Sequence, residues 1–187
     1  MHTEYEVRVL EIDVEEFSKK LEEIGAKKEW DLVQKRYVYD FIPKEENRWI
    51  RLRTNGKKTT LTIKDVVTSK IDGTHELEIE VDNFERCNLM LKELGYVPKG
   101  YQENRRVQYS YQGVEIDIDY WPLIPTYLEI EGPSEEKVYE VMKKLGLRKK
   151  DVTSLDVQNI YLNYGYKLDD IKELKLEEER LWHYMKI

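Results

Sequence analysis

Cysteine is almost absent from this chain: Cys87 stands alone among 187 residues. A single thiol excludes an intrachain disulfide framework and any zinc site built on cysteines, and it suits a reducing compartment. Its place among Phe84, Met90 and Leu91 suits a buried structural residue better than a nucleophile. Histidine is scarce as well, and His2, His75 and His183 are too scattered to suggest a catalytic dyad. No apolar run approaches the roughly 18 residues of a membrane-spanning helix, and no apolar signal stretch follows Met1. A basic excess is also missing. The net charge of −7 and isoelectric point near 5.2 argue against a general nucleic-acid surface, although bases gathered locally could still hold phosphate. The expectation is a cytoplasmic protein with no membrane or nucleic-acid partner.

What the chain does have is carboxylate at every second position in four segments. These are Glu4 and Glu6; Glu76, Glu78 and Glu80; Glu115, Asp117 and Asp119; and Glu129 and Glu131. A strand points successive side chains to opposite faces, so each set shares one face while Leu77, Ile79, Ile116, Ile118 and Ile130 take the other. Bases fall at matching positions: Arg8 beside Glu4 and Glu6, Arg51 and Arg53 opposite Ile50 and Leu52, Lys64 opposite Ile63, and Arg106 opposite Val107. Massed carboxylates on neighbouring strands repel unless cations balance them, so the pattern asks for metal ions, basic side chains or both.

Period-two alternation and turn signals place strands over 3–11, 30–41, 49–54, 59–66, 74–81, 101–111, 114–121 and 127–131. Asn55-Gly56 and Gln112-Gly113 mark hairpins. Helical spacing predicts helices from Asp13 to Gly25, over 84–94 before Gly95, and from a Ser134 cap to Gly146. The strand-helix unit around 3–25 returns around 74–95, a hint of internal pseudo-symmetry. Helices are also expected over 153–164 and 168–185, with the mixed charges of 172–180 as a solvated helix face. One domain is expected, its body spanning 1–166 and a helical C-terminal extension spanning 167–187.

About eight strands permit a sandwich or a closed barrel. Periodicity leaves two pictures open. Either the apolar faces form an ordinary core and the charged faces meet water, or the sheet closes with its charges inward around a polar tunnel. Trp30, Tyr37, Tyr39, Trp49, Tyr109, Tyr120 and Trp121 could stack on a nucleobase, but packing in the strands explains them as well.

Glu4-Tyr5-Glu6-Val7-Arg8 resembles the ExExK signature of the CYTH superfamily, the triphosphate tunnel metalloenzymes. Arg51-Leu52-Arg53, Thr62-Ile63-Lys64, Glu76 to Glu80, Arg106, Asp119 and Glu129-Ile130-Glu131 resemble its successive strand motifs, over roughly residues 2–166. The resemblance implies an α+β fold, an eight-stranded antiparallel β-barrel with a polar tunnel, flanked by helices. It implies Mg²⁺ or Mn²⁺ on Glu4, Glu6, Asp119, Glu129 and Glu131, with Glu76, Glu78 and Glu80 as further ligands or their support. Arg8, Arg51, Arg53, Lys64 and Arg106 would bind substrate, and Arg8, Lys64 and Glu78 would act in catalysis.

The implied partner is a triphosphate-containing small molecule: ATP, tripolyphosphate or thiamine triphosphate. Hydrolysis is the leading expectation. The alternatives are a class IV-like adenylyl cyclase forming cyclic AMP and pyrophosphate, and a module that binds nucleotide or polyphosphate without turnover. The oligomeric state stays open, a homodimer included. Three positions depart from the family pattern: Arg8 replaces a lysine, Asn104 stands where many relatives have lysine, and Arg36 stands where the residue is often acidic. Arginine keeps its proton, so Arg8 suits phosphate binding or transition-state stabilisation rather than base catalysis.

Overall fold

The structure of the chain is a computed structural model in which residues 1–68 and 70–177 are described. Two hairpin turns show how local sequence sets the strands. At Gln112-Gly113 both residues adopt positive φ, +50° and +80°, which matches the twist of the strands on either side. At Asn55 the side-chain oxygen accepts from the backbone N–H groups of Lys57 and Lys58, and the chain reverses in a four-residue loop.

Eight strands form the barrel: β1 (His2–Val9), β2 (Lys27–Asp40), β3 (Arg48–Thr54), β4 (Thr59–Val66), β5 (Thr74–Val81), β6 (Gly100–Tyr111), β7 (Val114–Tyr120) and β8 (Tyr127–Gly132). They hydrogen-bond in the order β2-β3-β4-β5-β1-β8-β7-β6, and β6 pairs back onto β2. Every pairing in that ring is antiparallel, and the return of β6 onto β2 closes the sheet into a barrel. The closing pair runs from Lys27 opposite Ser110 to Val38 opposite Gly100, with one register shift between Lys28 and Trp30.

Among the described residues four α-helices lie against the barrel: α1 (Val14–Glu23), α2 (Phe84–Glu93), α3 (Glu135–Lys144) and α4 (Val157–Asn163). Asp13, Asn83, Ser134 and Asp156 cap them, each accepting from a backbone N–H three residues on. The strand-helix unit expected twice occurs three times, as β1-α1, β5-α2 and β8-α3.

The core lies outside the barrel. Val7, Ile116, Ile118, Leu128 and Ile130 point outward against Phe17 and Leu21 of α1 and Val138, Val141 and Met142 of α3. Leu91 of α2 covers Tyr39, Ile50 and Leu52. The described helices leave part of the exterior uncovered: Leu77 and Ile79 on the outer face of β5 are more than half exposed. A third cluster joins Trp121, Ile124 and Tyr127 to Ile160 and Tyr161 of α4, where the Tyr161 hydroxyl donates to Pro122 O at 2.7 Å.

Two expected helices need correction. The helix expected over 153–164 starts only at Val157, because Thr153 is held extended by two backbone hydrogen bonds to Arg8. The stretch from 168 is not an α-helix in its described part. Leu168–Asp170 forms a 3-10 turn, and β9 (Glu173–Leu174) adds in parallel to β6. The solvated helix face expected over 172–180 is therefore absent through residue 177, and residues 178–187, His183 among them, lie outside the described part. No helix among the described residues is long and apolar enough to cross a membrane.

Candidate active site

Because the apolar residues face out, the alternate positions of all eight strands face in. They enclose a cavity of about 410 Å³ lined by charged groups. An eight-stranded barrel has room for little more than its own side chains, so these charges must meet one another.

On one wall β1 runs beside β8. Glu6 lies opposite Glu131 and Arg8 opposite Glu129. The carboxylates of Glu6, Glu129 and Glu131 converge, with one oxygen of each within 4.8 Å of the others. Arg8 is locked against this group. Its Nε donates to Glu129 at 2.7 Å, one Nη to Glu6 at 2.8 Å and the other to Leu155 O at 2.8 Å. Thr74 donates to the second oxygen of Glu6 at 3.2 Å. Burial opposes the charge of Glu129, but Arg8, Arg106 and Lys64 together hold it far below the usual carboxylate range. Glu131 faces the opposite balance. Burial first, then Glu4, Glu129 and Glu6, push it up to about 8.

Arg106 of β6 is locked too. It meets Asp117 at 2.5 Å, Asp119 at 2.5 Å and Glu129 at 3.1 Å. One guanidinium thus faces three buried carboxylates, and burial with the charges of Asp119 and Glu129 pushes Asp117 up to about 8. Lys64 of β4 sits between Glu4, at 3.2 Å, and Glu76.

The next wall differs. Arg51 and Arg53 of β3 are loosely held: Arg51 lies 3.5 Å from Glu76 and 3.6 Å from Glu78, and Arg53 lies 3.8 Å from Glu78. The buried Nε of Arg51 has no partner among the described residues. Glu78 accepts from Thr62 at 2.8 Å; burial opposes its charge, but Thr62, Arg53 and Arg51 hold it ionised.

The barrel therefore brings the expected residues together with different duties. Glu6, Glu129 and Glu131 form the carboxylate group, with Glu4 and Glu76 beside it around Lys64. Asp119 lies behind Arg106 and accepts from Asn104 Nδ2 at 2.8 Å. Glu80 stands apart, exposed and 3.6 Å from Lys58. Of the aromatics, Trp30, Trp49 and Trp121 line the cavity, while Tyr39, Tyr109 and Tyr120 are buried and Tyr37 stacks on Phe84 at 5.3 Å. Gln34 and Arg36 of β2 line the cavity as well; the family pattern marks Arg36 only as a departure, and the alternation of β2 puts both on one face.

No curated protein matches the chain significantly in sequence. Solved structures do match in fold. The PH1012 protein of Pyrococcus horikoshii superposes with a TM-score of 0.72 at 24% identity, covering 84% of this chain and 98% of that one. A candidate adenylate cyclase of Vibrio parahaemolyticus gives 0.73 at 12% identity, over 86% and 98%. HpAC1 from Hippeastrum, an adenylyl cyclase by name with a dominant triphosphatase activity, gives 0.60 at 15% identity, over 90% and 98%. The CYTH domain family profile matches residues 2–164, nearly the whole barrel and its helices. With the inward-facing charges of the closed barrel, that match settles the kinship: the chain belongs to the CYTH domain family.

Proposed function

We propose that this chain hydrolyses a triphosphate-containing small molecule in its barrel lumen with the help of Mg²⁺ or Mn²⁺. One observation carries the reading: the convergent carboxylates of Glu6, Glu129 and Glu131 share a lumen with the loosely paired guanidinium groups of Arg51 and Arg53. Three hard oxygen donors in a buried cluster fit a divalent cation of that kind, and Arg8 fixes two of them from behind. When bound, such a cation neutralises phosphate oxygens and lowers the pKa of a bound water.

The chain's own residues do the rest. Arg51 and Arg53 have donors to spare, and guanidinium matches phosphate bidentately. Arg8 and Arg106, enclosed by carboxylates, hold the wall in place and balance its charge. Lys64, between Glu4 and Glu76, supplies a point charge at the border of the two walls. Glu78 stays ionised and is an acceptor able to orient an attacking water.

A cyclase reading has one observation in its favour, the presence of Trp30 and Trp49 in the cavity lining, where a nucleobase could stack. The HpAC1 structure supports hydrolysis as the first choice, since that protein combines the cyclase name with a dominant triphosphatase activity. Products decide. Purified protein is incubated with Mg²⁺ or Mn²⁺ and ATP, tripolyphosphate or thiamine triphosphate, and phosphate, pyrophosphate and cyclic AMP are resolved. Phosphate release is expected; cyclic AMP with pyrophosphate would replace hydrolysis by cyclisation, and tight binding without product would leave a binding module.

A further inference from the structure

Arg36 lies in the lumen wall, 6% exposed, and forms no ion pair with any described residue. Both of its hydrogen bonds leave from Nη2 and end on neutral groups, Gln34 Oε1 at 3.1 Å and Asn104 Oδ1. Its Nε is buried with no partner among the described residues, and its guanidinium carbon lies 4.6 Å from the ring centre of Trp121. The neighbouring charges make matters worse. Arg36 sits directly across the strand pair from Arg53, and Arg53, Arg51 and Arg106 all oppose its charge. Asp119 is the carboxylate nearest in effect, but Arg106 already holds both its oxygens, and Asn104 stands between it and Arg36.

A buried guanidinium with only neutral partners, facing another guanidinium, is unfavourable in the ligand-free protein. An anion placed between the two removes the penalty. We propose that Arg36 is a substrate-binding residue, which with Arg53 takes the oxygens of one phosphoryl group of a triphosphate at the carboxylate-poor side of the lumen. Asn104 aims it: the carbonyl oxygen of Asn104 holds Nη2 while its amide is anchored on Asp119, leaving the remaining donors of Arg36 for the ligand. The base missing from position 104 on β6 is thus supplied across the strand pair from β2. This assignment rests on the triphosphate reading and adds the residue that reading lacks.

Calorimetric titration with tripolyphosphate in Mn²⁺, together with thermal melts without ligand, tests it on the parent, Arg36→Gln, and Arg36→Gln with Asn104→Lys. Loss of one charge-assisted contact to phosphate should weaken binding by about tenfold or more in Arg36→Gln. Its ligand-free melting temperature should stay equal or rise, because an unpaired buried cation has gone. Adding Asn104→Lys should recover most of the affinity by returning a cation to the same place. Parent-like affinity in folded Arg36→Gln overturns the assignment, as does a fall in ligand-free stability with affinity kept, the mark of a structural arginine. If Arg36→Gln does not fold, Arg36→Lys decides: it should bind several-fold more weakly than the parent, having lost the guanidinium fork, and unchanged affinity overturns the assignment. A parent that binds no tripolyphosphate removes the triphosphate reading itself, an outcome distinct from a parent that binds and an Arg36→Gln that binds equally well.

Discussion

Arginines in this lumen differ by what already surrounds them. Arg8 has hydrogen bonds on every side, so its removal takes the ion pair from buried Glu6 and leaves Glu129 with Arg106 alone at contact distance. Breaking such a pair from one side costs about 3–5 kcal/mol. Urea unfolding of Arg8→Met should show a loss of that order, whereas Arg51→Met should stay near parent stability and bind triphosphate about tenfold more weakly or worse. Equal stability of the two variants would erase the distinction between locked and open bases. The same neighbourhood gives a pH dependence. Glu131 is raised from 4.5 to about 8 in the folded chain, so between those values the folded protein holds a proton that the unfolded chain has released. Its contribution to stability therefore falls as pH rises from about 4.5 to about 8 and levels above that. Glu129 acts with the opposite sign: its stabilisation is present above about 4.5 and is lost as pH falls well into the acid range. Metal-free Glu131→Gln should flatten the decline between pH 5 and 8; an unchanged slope in denaturant melts would refute the burial argument.

Elements decide how much of this could be read in advance. Strand positions follow from period-two alternation, and the caps at Asp13 and Ser134 follow from local sequence. Asp13→Ala should cost about 1 kcal/mol, against 2–5 kcal/mol for Leu21→Ala, whose side chain is fully buried between barrel and helix. Thermal melts that reverse this order would place the core elsewhere. Barrel closure is legible in the family resemblance but not in periodicity, because the β2–β6 pairing joins segments some seventy residues apart and no local signal sets its register. Periodicity alone also could not say whether the charged face turned in or out; the ordered strand motifs tipped that choice. The segment after 168 misled for a definite reason. Leu168, Ile171 and Leu174 repeat at helical spacing, but from Glu173 onward Leu174 and Leu176 are buried and Glu173 and Lys175 exposed, a period of two that fits β9 against β6. The opposite fates of Arg8 and Arg51 were illegible too, since both are arginines on inner faces and only the closed barrel shows which carboxylates each one meets.

At the scale of the whole molecule, the fold is a barrel turned inside out: its apolar contacts lie between barrel and helices, and its interior holds charge, much of it buried. Such an interior is costly unless every charge has a counterpart. In the carboxylate group of Glu6, Glu129 and Glu131, the first two share Arg8, and Glu129 shares Arg106 with Asp117 and Asp119. Among the described residues Arg36 has no ion pair, and Arg51 and Arg53 meet carboxylates only at 3.5 to 3.8 Å. Under the proposed function, a metal-bound triphosphate would supply a cation to the carboxylates and an anion to the arginines. Titration calorimetry of tripolyphosphate addresses this directly, run in saturating Mn²⁺ and again with chelator, on the parent and on Arg51→Met with Arg53→Met. The account predicts saturable binding by the parent in Mn²⁺, weakened at least tenfold by chelation and at least tenfold by the double substitution. Affinity that survives both changes, or a parent that binds no tripolyphosphate in Mn²⁺, would contradict it.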